Sequence, residues 1–200
     1  MPKAFSNNER EYIKNRLMEE ARNCLKLYGM KKTTVDELVK RVNIPKGTFY
    51  LFFESKEILF YEVLCLFHDE LQAELLREME ALEEPISADH LTELLLKLYK
   101  RIEESFLYNF ITSGDLELLM HKLPPEVAIE HAKRDDFSIE KILTLIPGIK
   151  GEQIKVFSAA MRAIFLSMLH KHEIGEEVFE DTLRVMIRGV VFQMFEDGWK

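Results

Sequence analysis

Cysteine, glycine and proline are all scarce in this 200-residue chain, and each shortage removes a class of protein. Two cysteines, Cys24 and Cys65, are too few for a disulfide framework, which also needs a secretory setting. Both fall at apolar positions of helical patterns and read as buried, reduced thiols. Eight glycines and six prolines leave no room for long flexible linkers or low-complexity tracts. No repeat at a fixed period is present. Long apolar runs are missing too. The longest nearly uncharged stretches, residues 156–169 and 186–195, are interrupted by Arg162 and Arg188 and fall short of the roughly 18 residues that a membrane span needs. The opening Met1-Pro2-Lys3-Ala4-Phe5-Ser6 lacks the apolar core of a signal peptide, so a cytoplasmic location with no membrane partner is expected.

Chemistry-bearing motifs are equally thin. There is no Glu-x-x-His, no His-Glu-x-x-His and no phosphate-binding glycine-rich loop. His170-Lys171-His172 places its histidines two residues apart, which puts them on different helix faces. Cations close to a helix C-terminus are favourable in any case. The expectation is a protein that is not an enzyme and needs neither metal nor cofactor.

What is present is helical periodicity, end to end. No segment alternates as a strand would. Ser6-Asn7-Asn8-Glu9 is a capping box opening the first helix, whose inward stripe reads Ile13, Leu17, Ala21, Cys24, Leu25 and Tyr28, with Gly29 as its stop. Thr34-Val35-Asp36-Glu37 is a second capping box. It opens a short second helix with Val35, Leu38, Val39 and Val42 inside. Asn43 suits a left-handed turn, and Pro45 suits the first turn of a third helix running to about Phe52. Ser55 caps a fourth helix reaching about Leu82, and Glu83-Glu84-Pro85-Ile86 breaks the pattern. Ser87 then caps a helix carrying Leu91, Leu94, Leu95, Leu98, Ile102 and Phe106. A short helix ends before Pro124-Pro125, another reaches about Leu145 before Pro147-Gly148, and two more cover about 151–171 and 176–196. The fold class is all-α, with about nine helices and no sheet.

Charge divides this chain unevenly. Residues 1–62 hold twelve basic and nine acidic side chains, a net of +3, which leaves −11 for the rest of a chain at −8. A basic N-terminal part on an acidic body can meet phosphate without sticking to nucleic acid indiscriminately. The second and third helices with their short turn form a helix-turn-helix, a unit that lays its second helix in the major groove. Lys46, Gly47, Thr48 and Tyr50 cluster at the start of that helix, where free N–H groups favour phosphate. Gly47 has no side chain to hold the backbone away from DNA. Phe49 and Phe53 can turn inward and anchor the helix.

The stretch Thr33-Thr34-Val35-Asp36-Glu37-Leu38-Val39, followed by Pro45-Lys46-Gly47-Thr48-Phe49-Tyr50-Leu51-Phe52-Phe53-Glu54-Ser55-Lys56-Glu57-Ile58-Leu59, resembles the N-terminal domain of TetR-type (TetR/AcrR) repressors. The motif covers about residues 9–62; beyond it, the resemblance extends to length and helical character only. It implies a helix-turn-helix domain over residues 1–62 and a helical effector-binding and dimerisation domain over residues 63–200. It also implies phosphate contacts for Thr34, Tyr50 and Lys56, and a groove-facing role for Lys46 and Thr48. Two positions depart from the pattern: Phe52 stands where relatives often carry Tyr or His, and Leu51 where many carry a polar residue.

The last two helices are apolar or small on several sides, so one side can meet its own domain and another needs a partner. Ser158, Ala159, Ala163 and Gly189 would permit close approach of a second copy, giving an isologous homodimer. Tyr99, Glu103, Phe106, Phe110, Met120, His121, Phe137, Phe157, Met161 and Phe165 are candidates to line a cavity for a small apolar or amphipathic ligand; each also suits an ordinary core. The expected function is a ligand-responsive homodimeric repressor on a pseudo-palindromic double-stranded operator. The alternatives are a DNA-binding dimer governed by a protein partner, or a helical interaction protein that binds no DNA.

Overall fold

The structure, a computed structural model, describes residues 5–81, 87–127, 140, 143–144 and 151–195. The expected break at Glu83-Glu84-Pro85-Ile86, most of the helix expected to reach Leu145, and Pro147-Gly148 lie outside these residues, as does Phe137. All ten elements among the described residues are helices, and none is a strand. The chain folds as two compact units, Met1–Asp69 with Ser105–Pro125, and Glu70–Glu104 with Glu126–Lys200.

In the first unit, α1 (Asn7–Lys32) starts on the Ser6–Glu9 capping box, with Glu9 N–H donating to Ser6 Oγ and Ser6 N–H to Glu9 Oε2 at 2.8 Å. The Ser6 N–H and the Ser6 hydroxyl both donate to Glu9 Oε2, and these two bonds hold the Glu9 carboxyl below its usual range by stabilising the carboxylate. Ile13, Leu17, Ala21, Cys24 and Leu25 face the core, and burial pushes the Cys24 thiol up. Tyr28 does not join them. It is exposed, with the Arg41 guanidinium 5.7 Å over its ring.

α2 (Val35–Val42) is capped by Thr34, whose Oγ1 accepts from Glu37 N–H at 3.2 Å. Only that half of the expected capping box is described, and the Glu37 carboxylate instead accepts from Arg41 Nε at 2.7 Å. Leu38 and Val39 are buried, while Val35 and Val42 are half-buried. Asn43 takes the left-handed conformation and its N–H closes the helix on Lys40 O. Pro45 stands at the cap of α3 (Lys46–Phe49) rather than within it. The α-helix is shorter than expected, because residues 50–52 continue as tight turns, with Leu51 N–H on Thr48 O and Phe52 N–H on Phe49 O. α4 (Lys56–Glu80) begins in this unit and contributes its later residues to the second. α6 (Phe106–Thr112) and α7 (Asp115–Lys122) both pack on α1.

Gly29 is not a simple stop. Its backbone takes φ 74°, ψ 178°, and one more helical turn follows it. That region is essentially reserved for glycine. The buried Asp115 carboxylate accepts the Met30 N–H at 2.6 Å, and a Cβ on Gly29 would lie 2.9 Å from Asp115 Oδ2. Gly29→Ala is therefore expected to cost about 2–3 kcal/mol, from backbone strain and the displaced carboxylate. It should lower the urea midpoint at unchanged slope, and an unaltered midpoint would contradict this account.

The second unit holds the later part of α4, α5 (Ala88–Glu103), α8 (Gly151–Met168), α9 (Lys171–Ile174) and α10 (Phe179–Phe195). The expected single helix through Phe106 is two, since the Ser105 hydroxyl accepts from Leu107 N–H and starts α6. Phe179, Leu183, Ile187, Val191 and Met194 give α10 a buried face at helical spacing, packed on α5 and α8. Phe157, Met161, Ile164 and Met168 do the same for α8. Ser158, expected on a partner-facing side, is fully buried, and Arg162 donates to its hydroxyl. Among the described residues, no helix is long and apolar enough to cross a membrane.

Candidate nucleic-acid interface

The helix-turn-helix is held from beneath. Phe49 and Phe53 are buried side by side, ring centroids 5.9 Å apart, as the sequence predicts. Burial of two such side chains, each worth about 2–3 kcal/mol, fixes the short α3 that four helical residues alone could not sustain. The outer surface of the turn is then set by what remains. Tyr50 is 52% exposed and stands edge-on to Phe49. Gly47 is exposed, and a Cβ built on it meets nothing within 4 Å. Lys46 Nζ lies 2.9 Å from Asp36 Oδ2, and this hydrogen bond holds its ammonium above the usual lysine range. Thr34 is exposed at the cap of α2, and its own hydroxyl proton is not used by the capping bond.

Two expected residues sit differently. Thr48 is buried, so it does not face outward beside Lys46. Its place is dictated by its neighbour Phe49, whose burial turns this edge of α3 into the core. Lys56 is half-buried, and its Nζ donates to Thr33 O at 2.8 Å and Met30 O at 3.2 Å. It closes carbonyls left over at the end of α1, and two of its three N–H groups are committed there.

Asp36 is the residue that sequence reasoning missed. It reads as an ordinary first-turn acid of α2, and only tertiary packing brings it to Lys46, ten positions on. An exposed pair of this kind exchanges readily with other anions. Asp36→Asn is expected to tighten binding to duplex DNA a fewfold at low salt, by releasing Lys46 and removing a negative charge. Fluorescence anisotropy on a labelled duplex measures this; weaker binding would refute it.

The candidate ligand residues fall in both units. Tyr99, Glu103, Phe157, Met161 and Phe165 belong to the second, where the buried Tyr99 hydroxyl donates to Met161 O at 2.8 Å. Burial raises the Tyr99 phenol well above its ordinary value. Glu103 pairs with Lys171 at 2.5 Å. Phe106, Phe110, Met120 and His121 belong to the first unit, where Phe106 stacks edge-on between Phe67 and Phe110. His121 is exposed beside Glu117 and lines no interior. A groove of about 350 Å³ in that unit runs past Leu25, Tyr28, Gly29, Asn109 and Phe110.

An outward glycine, tyrosine and lysine on the second helix of a helix-turn-helix, with only helices among the described elements, define a helix-turn-helix unit. Residues 17–63 match the family model of bacterial regulatory proteins, tetR family, a match that covers the helix-turn-helix part of the chain. The uncharacterized HTH-type transcriptional regulator YdgC of Bacillus subtilis (strain 168) is 30% identical over 83 residues, 42% of each chain. The matched stretch thus spans less than half the length of that relative. SCO4454, a TetR-family transcriptional regulator from Streptomyces coelicolor, superposes with a TM-score of 0.67 at 14% identity, over 93% of this chain and 97% of its own. Thermus thermophilus FadR, a TetR-family repressor solved with lauroyl-CoA, gives 0.60 at 17% identity, over 94% and 97%. The whole-chain fold is that of TetR-family regulators.

Proposed function

We propose that the chain is a cytoplasmic homodimeric repressor that binds a pseudo-palindromic operator through α3 and is released by a small molecule held in the second unit. The observation that carries the DNA reading is Gly47. Nothing in the packing of the described residues asks for a glycine there, yet glycine in a helix costs roughly 0.5–1 kcal/mol relative to alanine. A backbone approached closely by an outside partner accounts for it. Thr34 and Tyr50 then supply hydroxyls to phosphate, Lys46 exchanges Asp36 for phosphate, and Lys56 mainly positions the start of α2 by closing the end of α1. The functional division stays near residue 62, because every one of these groups lies before it.

Two such turns, one per copy, would enter successive major grooves about 34–36 Å apart. A ligand favouring a conformer with another spacing releases the DNA by shifting populations. FadR was solved with lauroyl-CoA, and an apolar or amphipathic effector near Tyr99, Phe157 and Met161 is the corresponding reading here.

The test is titration of a labelled duplex from the region upstream of the chain's own gene, at a series of salt concentrations. Wild type should show affinity falling steeply with salt, and Tyr50→Phe should weaken binding to every sequence alike, about three- to tenfold. Absence of any salt-sensitive binding would overturn the DNA reading.

A further inference from the structure

The recognition turn offers few polar groups to base edges. Across residues 46–52, Lys46 is engaged by Asp36, Gly47 has no side chain, and Thr48 and Phe49 are buried. Phe52 is half-buried beneath the Arg10 guanidinium, 5.3 Å from its ring centroid, with the Phe5 ring at 6.5 Å. What protrudes beside Tyr50 is Leu51, 58% exposed, its N–H fixed on Thr48 O at 3.1 Å. Leu27 is 65% exposed as well, and a singly exposed leucine ordinarily asks for no explanation. Leu51 differs in its seat. It lies in the exposed turn that continues α3, next to the exposed Tyr50 and four residues after the exposed Gly47, on which a Cβ would meet nothing within 4 Å among the described residues. An exposed apolar side chain on a turn presented to the major groove of DNA has one complement there, the 5-methyl group of thymine.

We propose that Leu51 is a specificity-determining residue that reads a thymine methyl in each half-site through apolar contact. This rests on the DNA-binding reading above and deepens it. The direct readout would be largely apolar, with hydroxyl and ammonium groups of the same turn assigned to the backbone.

The experiment starts from duplexes selected out of a random pool by the wild-type protein. Each thymine in a selected half-site is replaced singly by deoxyuridine, which removes the methyl and keeps the pairing. Wild type should lose roughly fourfold in affinity at one thymine per half-site, the value of about one buried methyl group. Leu51→Ala should bind the unmodified duplex more weakly and be indifferent to that same replacement. Because Leu51 is exposed, the variant should melt as wild type does, which separates lost contact from lost fold. If no thymine is sensitive in wild type, or if Leu51→Ala stays equally sensitive, the assignment of Leu51 falls while the DNA reading stands. If the wild type selects and binds no duplex, the DNA reading fails and takes this inference with it.

Discussion

Gly47→Ala is expected to raise the thermal midpoint by about 1–4 °C and to weaken operator binding tenfold or more. The two signs come from two independent surroundings of one atom. In the free protein the new methyl enters open space, since nothing lies within 4 Å of its position. The residue is helical and needs no positive φ, so the substitution only restricts the unfolded chain and improves helix propensity, worth about 0.5–1 kcal/mol. For a chain of this size 1 kcal/mol moves the midpoint by roughly 2–4 °C. On DNA the same methyl stands between the backbone and the duplex. Displacing a close docking surface by the width of a methyl strains every neighbouring contact, and about 1.4 kcal/mol suffices for tenfold. A variant that is more stable and still binds tightly would remove the main support for placing α3 in the groove. A less stable variant would contradict the open surroundings of Gly47.

The parts of this interface that were legible in sequence are those fixed by neighbours along the chain. Ser6 with Glu9, Thr34 as a cap, and Asn43 as a left-handed stop each satisfy backbone groups within a few residues, and local chemistry settles them. The inward turn of Phe49 and Phe53 follows from four-residue spacing. The parts that were illegible depend on what faces a residue from elsewhere. A four-residue helix is too short for periodicity to say that Thr48 is buried. Lys56 turns to carbonyls at the end of α1 because of how α4 starts against α1, which no spacing encodes. Leu98, Ile102 and Phe106 keep four-residue spacing straight across the break at Ser105, so the pattern conceals two helices. For the ligand candidates, periodicity identifies a buried side and not its opposite wall. Phe106 and Phe157 therefore looked alike in sequence, yet they belong to different units.

On the proposed homodimer, Phe192→Asp is expected to yield a monomer and, through that change alone, to lower operator affinity a hundredfold or more. The outward side of α10 carries Val185, 71% exposed, then Gly189 and Phe192, 47% exposed, at spacings of four and three residues. On α8, packed against it, Val156, Ala159, Ala163 and Leu166 are likewise exposed at three- to four-residue spacing. Water is a poor neighbour for two such stripes, and the small residues let another helix pair approach closely. A Cβ on Gly189 would meet nothing within 4 Å, so its own unit sets no limit there. An interface between two identical copies is isologous, and each substitution therefore counts twice. A carboxylate in place of a central aromatic costs on the order of 2 kcal/mol per copy, hence about 4 kcal/mol per dimer, or roughly a thousandfold in the dimer dissociation constant. Two linked recognition turns gain about 10²–10⁴ in affinity over one, and the monomer forfeits that gain. Phe192 contributes little to its own subunit's core, so the variant should keep the helical spectrum of wild type. Val185→Asp, on the same stripe and more exposed, should behave alike. Sedimentation velocity reads the change directly: a variant that still sediments as a dimer would show that the pairing surface lies elsewhere. A dimer that dissociates without losing operator affinity would break the link between pairing and recognition.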